Sequence, residues 1–143
     1  MLLAGLRRTY SFAEAPTAIP AAWWAFTATL PLPGQIGATT YGAVCGADMA
    51  AGTFEYMCAA EVGNFDALGP DVGRMKVVAA HYAVFVHKGP ITAIRETIEA
   101  AHHWLEANGE WIDGHTPTFE RYGPAFDPAT GADTEIWLPV VRP

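Results

Sequence analysis

Apolar and polar positions change period several times along the chain. Residues 1–10 alternate loosely and predict a strand, with Arg7 and Arg8 interrupting its apolar side. Residues 17–30 switch to helical spacing. Ile19, Trp23, Phe26 and Leu30 recur at i, i+4, i+7 and i+11, Thr17 offers an N-cap, and Pro20 falls in the first turn. Pro31 and Pro33-Gly34 end that helix. Thr39–Gly46 and Thr53–Val62 are extended runs joined by residues 47–52, a hairpin. A Gly/Pro/Asp-rich loop covers Gly63–Gly73, and strands are expected at Val72–Ala79 and Tyr82–His87. The clearest helix is Thr92–Ala107, with Ile91, Ile94, Ile98, Ala101 and Leu105 on one stripe and Asn108-Gly109 as its stop signal. Strands at Thr118–Tyr122 and Thr134–Val141 close the chain around the turn Asp127-Pro128-Ala129-Thr130-Gly131.

The element order repeats. Strand–turn–helix over Leu3–Leu30 matches Tyr82–Leu105, and the hairpin Thr39–Val62 matches Thr118–Val141. Tyr41-Gly42 is echoed by Tyr122-Gly123. This predicts an α+β fold built from duplicated strand–helix–hairpin halves, about 1–70 and 71–143. Two antiparallel sheet halves would carry two helices flanking a central ligand groove.

Composition narrows the function. The chain has 143 residues, 51% hydrophobic, enough for one well-cored domain. No apolar run reaches the ~18–20 residues of a membrane helix. The charges of Arg7-Arg8 follow the apolar start, the wrong order for a secretory signal, so a cytoplasmic protein is expected. Eight basic against 15 acidic residues give a formal net charge of −7, and nucleic acid is not an expected partner. Cys45 and Cys58 flank the first hairpin turn. Across a tight turn Cys45 is expected near Phe54, and Cys58 near Tyr41, too far apart to bond, so both are read as reduced thiols.

The chemistry centres on carboxylates within strands, where Glu is depleted: Glu55, Glu61, Glu120 and Glu135. Alternation sets Glu120 on the side of Tyr122 and Glu135 on the side of Trp137, while Glu61 reads as solvent-facing. A carboxylate beside aromatic rings costs several kcal/mol to bury, and a cationic ligand is one way to compensate it. Unpaired, it would suit acid–base work instead. Trp24 and Trp104 each sit one position off their helix stripe and are candidates for a groove. His81, His87, His102, His103 and His115 form no metal pattern, and His87 is expected to shape the turn at Lys88-Gly89-Pro90. Ser11 is the only serine, in no nucleophile motif, and no Gly-rich phosphate loop joins a strand to a helix. No cofactor is expected.

The stretch Tyr82-Ala83-Val84-Phe85-Val86-His87-Lys88-Gly89-Pro90, then Ile94, Thr97 and Trp104-Leu105, resembles the GyrI-like small-molecule-binding family. So do Phe119-Glu120-Arg121-Tyr122, Phe126-Asp127-Pro128 and Glu135-Ile136-Trp137-Leu138-Pro139-Val140. That family includes effector-binding modules of AraC-type and MerR-type regulators, and this chain, beginning at the domain's first strand, looks like a stand-alone member. The resemblance implies a groove for bulky hydrophobic, often cationic compounds, with Glu120 as the central glutamate and Tyr122 and Trp137 as walls. The chain departs from the family at Ala79-Ala80-His81 and Gly109-Glu110-Trp111. The candidate ligand-binding residues are Glu120, Tyr122, Trp137, Trp24, Trp104, Tyr82, Glu55 and Tyr41. The partner expected first is an aromatic or cationic small molecule, bound by a monomer or homodimer for drug or toxin sequestration. The alternative is a hydrolase of cyclopropane-type alkylating compounds, with Glu120 and Glu135 activating water. A gyrase-protecting interaction protein is the third reading.

Overall fold

A computed structural model describes residues 1–115 and 117–143. It divides into two compact units, Met1–Val78 and Ala79–Pro143.

The first unit runs β1 (Leu2–Ser11), α1 (Ala15–Thr27), β2 (Gln35–Asp48), β3 (Thr53–Val62) and β4 (Gly73–Lys76). All pairings are antiparallel, in the order β4–β1–β3–β2. The register pairs Ala4 with Ala60, Leu6 with Cys58 and Arg8 with Tyr56, so these share one sheet face. That face packs under α1, where Ala22, Phe26, Tyr56, Cys58, Ala60 and Val62 form the core. Burying a side chain such as Phe26 contributes roughly 1.5–3 kcal/mol. Gly5 permits the close packing: a methyl group there would collide with the Cys58 carbonyl and the Phe26 ring.

The second unit runs β5 (His81–Val86), a single 3-10 turn at Ile91–Ala93, α2 (Ile94–Ala107), β6 (Ile112–Asp113), β7 (Thr118–Asp127) and β8 (Ala132–Val141). β8 lies between β7 and β5, and the short β6 also pairs with it. Ile136 and Leu138 pack against Ala101, Ile94, Ile98 and Leu105, so α2 covers their face of the sheet. His87 ties the helix to the strand. Its Nδ1 lies 2.6 Å from the Thr97 hydroxyl and its Nε2 lies 3.1 Å from the Pro90 carbonyl. A carbonyl only accepts, so Nε2–H donates to Pro90, and Nδ1 of the neutral ring accepts from Thr97.

Both units share one plan: strand, helix and hairpin, with the hairpin's second strand in the middle of the three. The boundaries differ from expectation in physical ways. α1 begins at Ala15 after Glu14 rather than at a Thr17 cap, with a proline in its first turn, and ends at Thr27. β2 starts at Gln35 and is broken between residues 35 and 40, where Gly37 takes a positive φ of 67°. A bulge at Cys45 shifts the hairpin register, so Gly46 opposes Glu55 and Gly42 opposes Cys58. Cys58 thus falls one position from Tyr41 and the bulged Cys45 beside the Glu55 pairing, next to Phe54, and neither cysteine is in a disulfide.

Candidate functional site

The register between β7 and β8 decides which candidates meet. Glu120 pairs with Ile136 and Tyr122 with Thr134. Cross-strand partners share a face, so Glu120 and Tyr122 lie on the side covered by α2. The Tyr122 hydroxyl donates to Glu120 Oε1 at 2.8 Å, and the Tyr122 ring meets Phe126 edge-on at 4.9 Å. The expected Glu120–Tyr122 proximity is real: the carboxylate accepts from the tyrosine hydroxyl, on the same sheet face as the apolar Ile136.

The other face holds a different group. Phe119 pairs with Trp137 and Arg121 with Glu135, and on β5 Tyr82, Val84 and Val86 oppose Pro139, Trp137 and Glu135. The Tyr82 ring lies 5.8 Å from Phe119 and 5.7 Å from Trp137. Arg121 bridges Asp133 and Glu135, each at 3.2 Å, and the Trp137 indole N–H donates to Glu135 at 3.4 Å. Glu135 and Trp137 do share a face, as alternation required. That face is the one opposite Glu120. Glu135, Trp137 and Tyr82 thus do not join Glu120 and Tyr122, and the Glu120–Glu135 catalytic pair is not assembled.

The remaining candidates disperse. Glu55 pairs with Arg7 at 2.8 Å, which raises the guanidinium pKa further. Tyr41 opposes Ala59, on the sheet face away from α1. Trp24 stands 83% exposed on α1. Trp104 lies on α2 with its ring edge-on to Phe85 at 5.4 Å. Burial pushes the Cys45 thiol up to about 11, which removes it as a nucleophile near neutral pH. Among the described residues no group of three or more His, Cys, Asp or Glu is arranged to hold a metal ion.

Trp23 and Tyr56, which as aromatics on a helix stripe and a strand read first as core, also form a site-like pair. On the α1-covered face of the first unit, the Trp23 indole N–H donates to the Tyr56 hydroxyl at 2.9 Å. The signal was present. Trp23 lies on the α1 stripe, and Tyr56 alternates with the apolar Phe54 and Cys58, which is the pattern of a helix-facing side. Each helix-covered face thus carries a pair centred on a tyrosine hydroxyl, Trp23–Tyr56 in one unit and Tyr122–Glu120 in the other.

Strand–helix–hairpin units with a carboxylate and aromatic hydroxyls under the helices define an α+β ligand-binding class of domain. Residues 1–141 match the GyrI-like small molecule binding domain, and the chain belongs to that family. No curated protein matches the chain. Its fold is that of SAV2435, solved bound to tetraphenylphosphonium, with a TM-score of 0.74 and 23% identity over 99% of this chain and 88% of that one. It is also that of the integron cassette protein VCH_CASS2 from the mobile metagenome of Vibrio cholerae, with a TM-score of 0.71 and 16% identity over 99% and 90% of the two chains. No helix among the described residues is long and apolar enough to cross a membrane.

Proposed function

We propose that this chain is a receptor for bulky, hydrophobic, cationic small molecules, and that it sequesters them against the α2-covered face of β7. The observation that carries the reading is the Tyr122–Glu120 pair on that face. A carboxylate beside aromatic and aliphatic surface favours a ligand that is itself apolar and positive. Its rings replace water on the apolar floor, and its charge offsets the desolvation of Glu120. Family membership supports small-molecule binding, and SAV2435 bound to tetraphenylphosphonium supports a bulky cation as the ligand class.

Hydrolysis of an electrophilic ligand has less to work with. The expected carboxylate pair is split between two sheet faces, so Glu135 does not stand with Glu120 beside the proposed ligand. Titrating the protein with tetraphenylphosphonium, read by tryptophan fluorescence, tests binding. Mass spectrometry of a cyclopropane electrophile recovered after incubation tests chemistry. Saturable quenching and an unchanged electrophile are expected. Absence of saturable binding would contradict the receptor reading, and conversion of excess electrophile to a hydrated product would replace it with the hydrolase.

A further inference from the structure

The terminal strands β4 and β5 are built differently. β4 has four residues, among them Arg74 and Lys76, and among the described residues it pairs with β1 alone. A short, charged strand blunts an edge against further pairing. β5 has six residues, His81-Tyr82-Ala83-Val84-Phe85-Val86, with no Asp, Glu, Lys or Arg, and among the described residues it pairs with β8 alone. Its outer backbone edge has no strand beside it among the described residues. Val84 and Val86 are 48% and 64% exposed on the face away from α2. Along the same edge lies an open groove of about 650 Å³, lined by Phe85 and Val86 from β5 and by Glu96, Ala100 and Trp104 from α2. Trp104 is 41% exposed.

We propose that β5 is the seat of a two-fold dimer, in which β5 of a second copy adds antiparallel to this edge and α2 of that copy fills the groove. A two-fold axis normal to the sheet keeps each face on its own side, so paired positions must face the same way. Centring the pair on Val84 sets Val84 against its own mate and Val86 against Tyr82 of the second copy. Both exposed valines are then covered.

The helix sequence selects a second copy as the occupant, because it is complementary to itself. Ala100 lines the groove and is small enough for close helix approach. An antiparallel α2 pair centred there sets Glu96 opposite Trp104, an acceptor opposite an indole donor, and brings Arg95 beside Glu106. Within one chain Arg95 has only an exposed pairing with Glu99, at 3.3 Å, of a kind worth ~0.3–0.5 kcal/mol. Two chains of net charge −7 repel over most of their surface. Here they meet with a single carboxylate per copy lining the groove, and that carboxylate faces a donor.

The test is light scattering over a concentration series, followed by cysteine cross-linking in a Cys45→Ala background. A mass approaching twice the 15.3 kDa chain is expected as concentration rises. Val84→Cys should yield a disulfide-linked dimer, since directly opposed strand residues lie ~4.5–5.5 Å apart, within disulfide reach. Val86→Cys, set opposite Tyr82, should not cross-link efficiently. Val86→Lys, an exposed substitution, should leave the circular dichroism unchanged and return the mass to that of one chain. A monomer at every concentration overturns the proposal. So does a dimer that Val84→Cys does not trap, because it would use another surface.

Discussion

Gly123 and Asp133 form a two-residue device at the β7–β8 turn. The Asp133 carboxylate occupies the space a Gly123 side chain would need. It accepts from the Ala125 backbone N–H at 3.1 Å and from Arg121 at 3.2 Å. The backbone hydrogen bond foremost, with Arg121 adding to it, holds the Asp133 pKa below the usual carboxylate value. A lowered native pKa means that Asp133 contributes stability above its unfolded pKa, and loses it as pH falls through the folded pKa. Asp133→Asn should therefore flatten the acid limb of a plot of melting temperature against pH; an unchanged limb would remove Asp133 as its source. Gly123→Ala should lower the melting temperature by expelling that carboxylate from its place beside the strand. Cys45 should alkylate slowly at pH 7.5 and faster toward pH 11, its shifted pKa. At this scale the sequence was half legible. Alternation placed Glu120 with Tyr122 and Glu135 with Trp137 correctly. It was silent on whether the two pairs shared a face, because that depends on cross-strand register.

Among the elements, the helices and hairpins were readable and their ends less so. The α2 stripe lies at helical spacing and does pack on the sheet. Spacing and a Thr17 cap predict α1 two residues late, whereas Pro16 is tolerated in the first turn and the helix starts at Ala15. β7 was expected to stop at Tyr122, since Gly123-Pro124 reads as a breaker. It continues to Asp127 through a register shift, which the Asp133 carboxylate supports by holding Ala125. The bulge at Cys45 moved the first hairpin's register for a related reason: one extra residue in a strand leaves no clear mark in an apolar pattern. The joint between β5 and α2 depends on His87. Thr97→Val would leave Nδ1 of this buried ring without its donor, and should cost about 1–3 kcal/mol in a denaturant titration. No change there would assign the strand–helix joint to packing alone.

Over the whole molecule, the order of elements was the strongest signal. Each unit places the second hairpin strand between the other two, as an internal duplication would produce. The family match across residues 1–141 gives that order its context. The negative charge also fits at this scale, because an acidic receptor attracts cations before any specific contact is made. A bound ligand should raise the melting temperature, because linkage stabilises the fold by about 2.7 kcal/mol when the ligand is present at 100 times its dissociation constant. The central claim is that Glu120, on the helix-covered face, supplies the charge recognition. The direct measurement compares the affinities of tetraphenylphosphonium and neutral triphenylphosphine oxide for the native chain, Glu120→Gln and Glu135→Gln. The account predicts a loss of roughly tenfold or more, ~1.4 kcal/mol or above, for the cation with Glu120→Gln, little change for the neutral compound, and little change for either with Glu135→Gln. Equal losses for cation and neutral compound in Glu120→Gln, or a larger cation loss in Glu135→Gln, would contradict it.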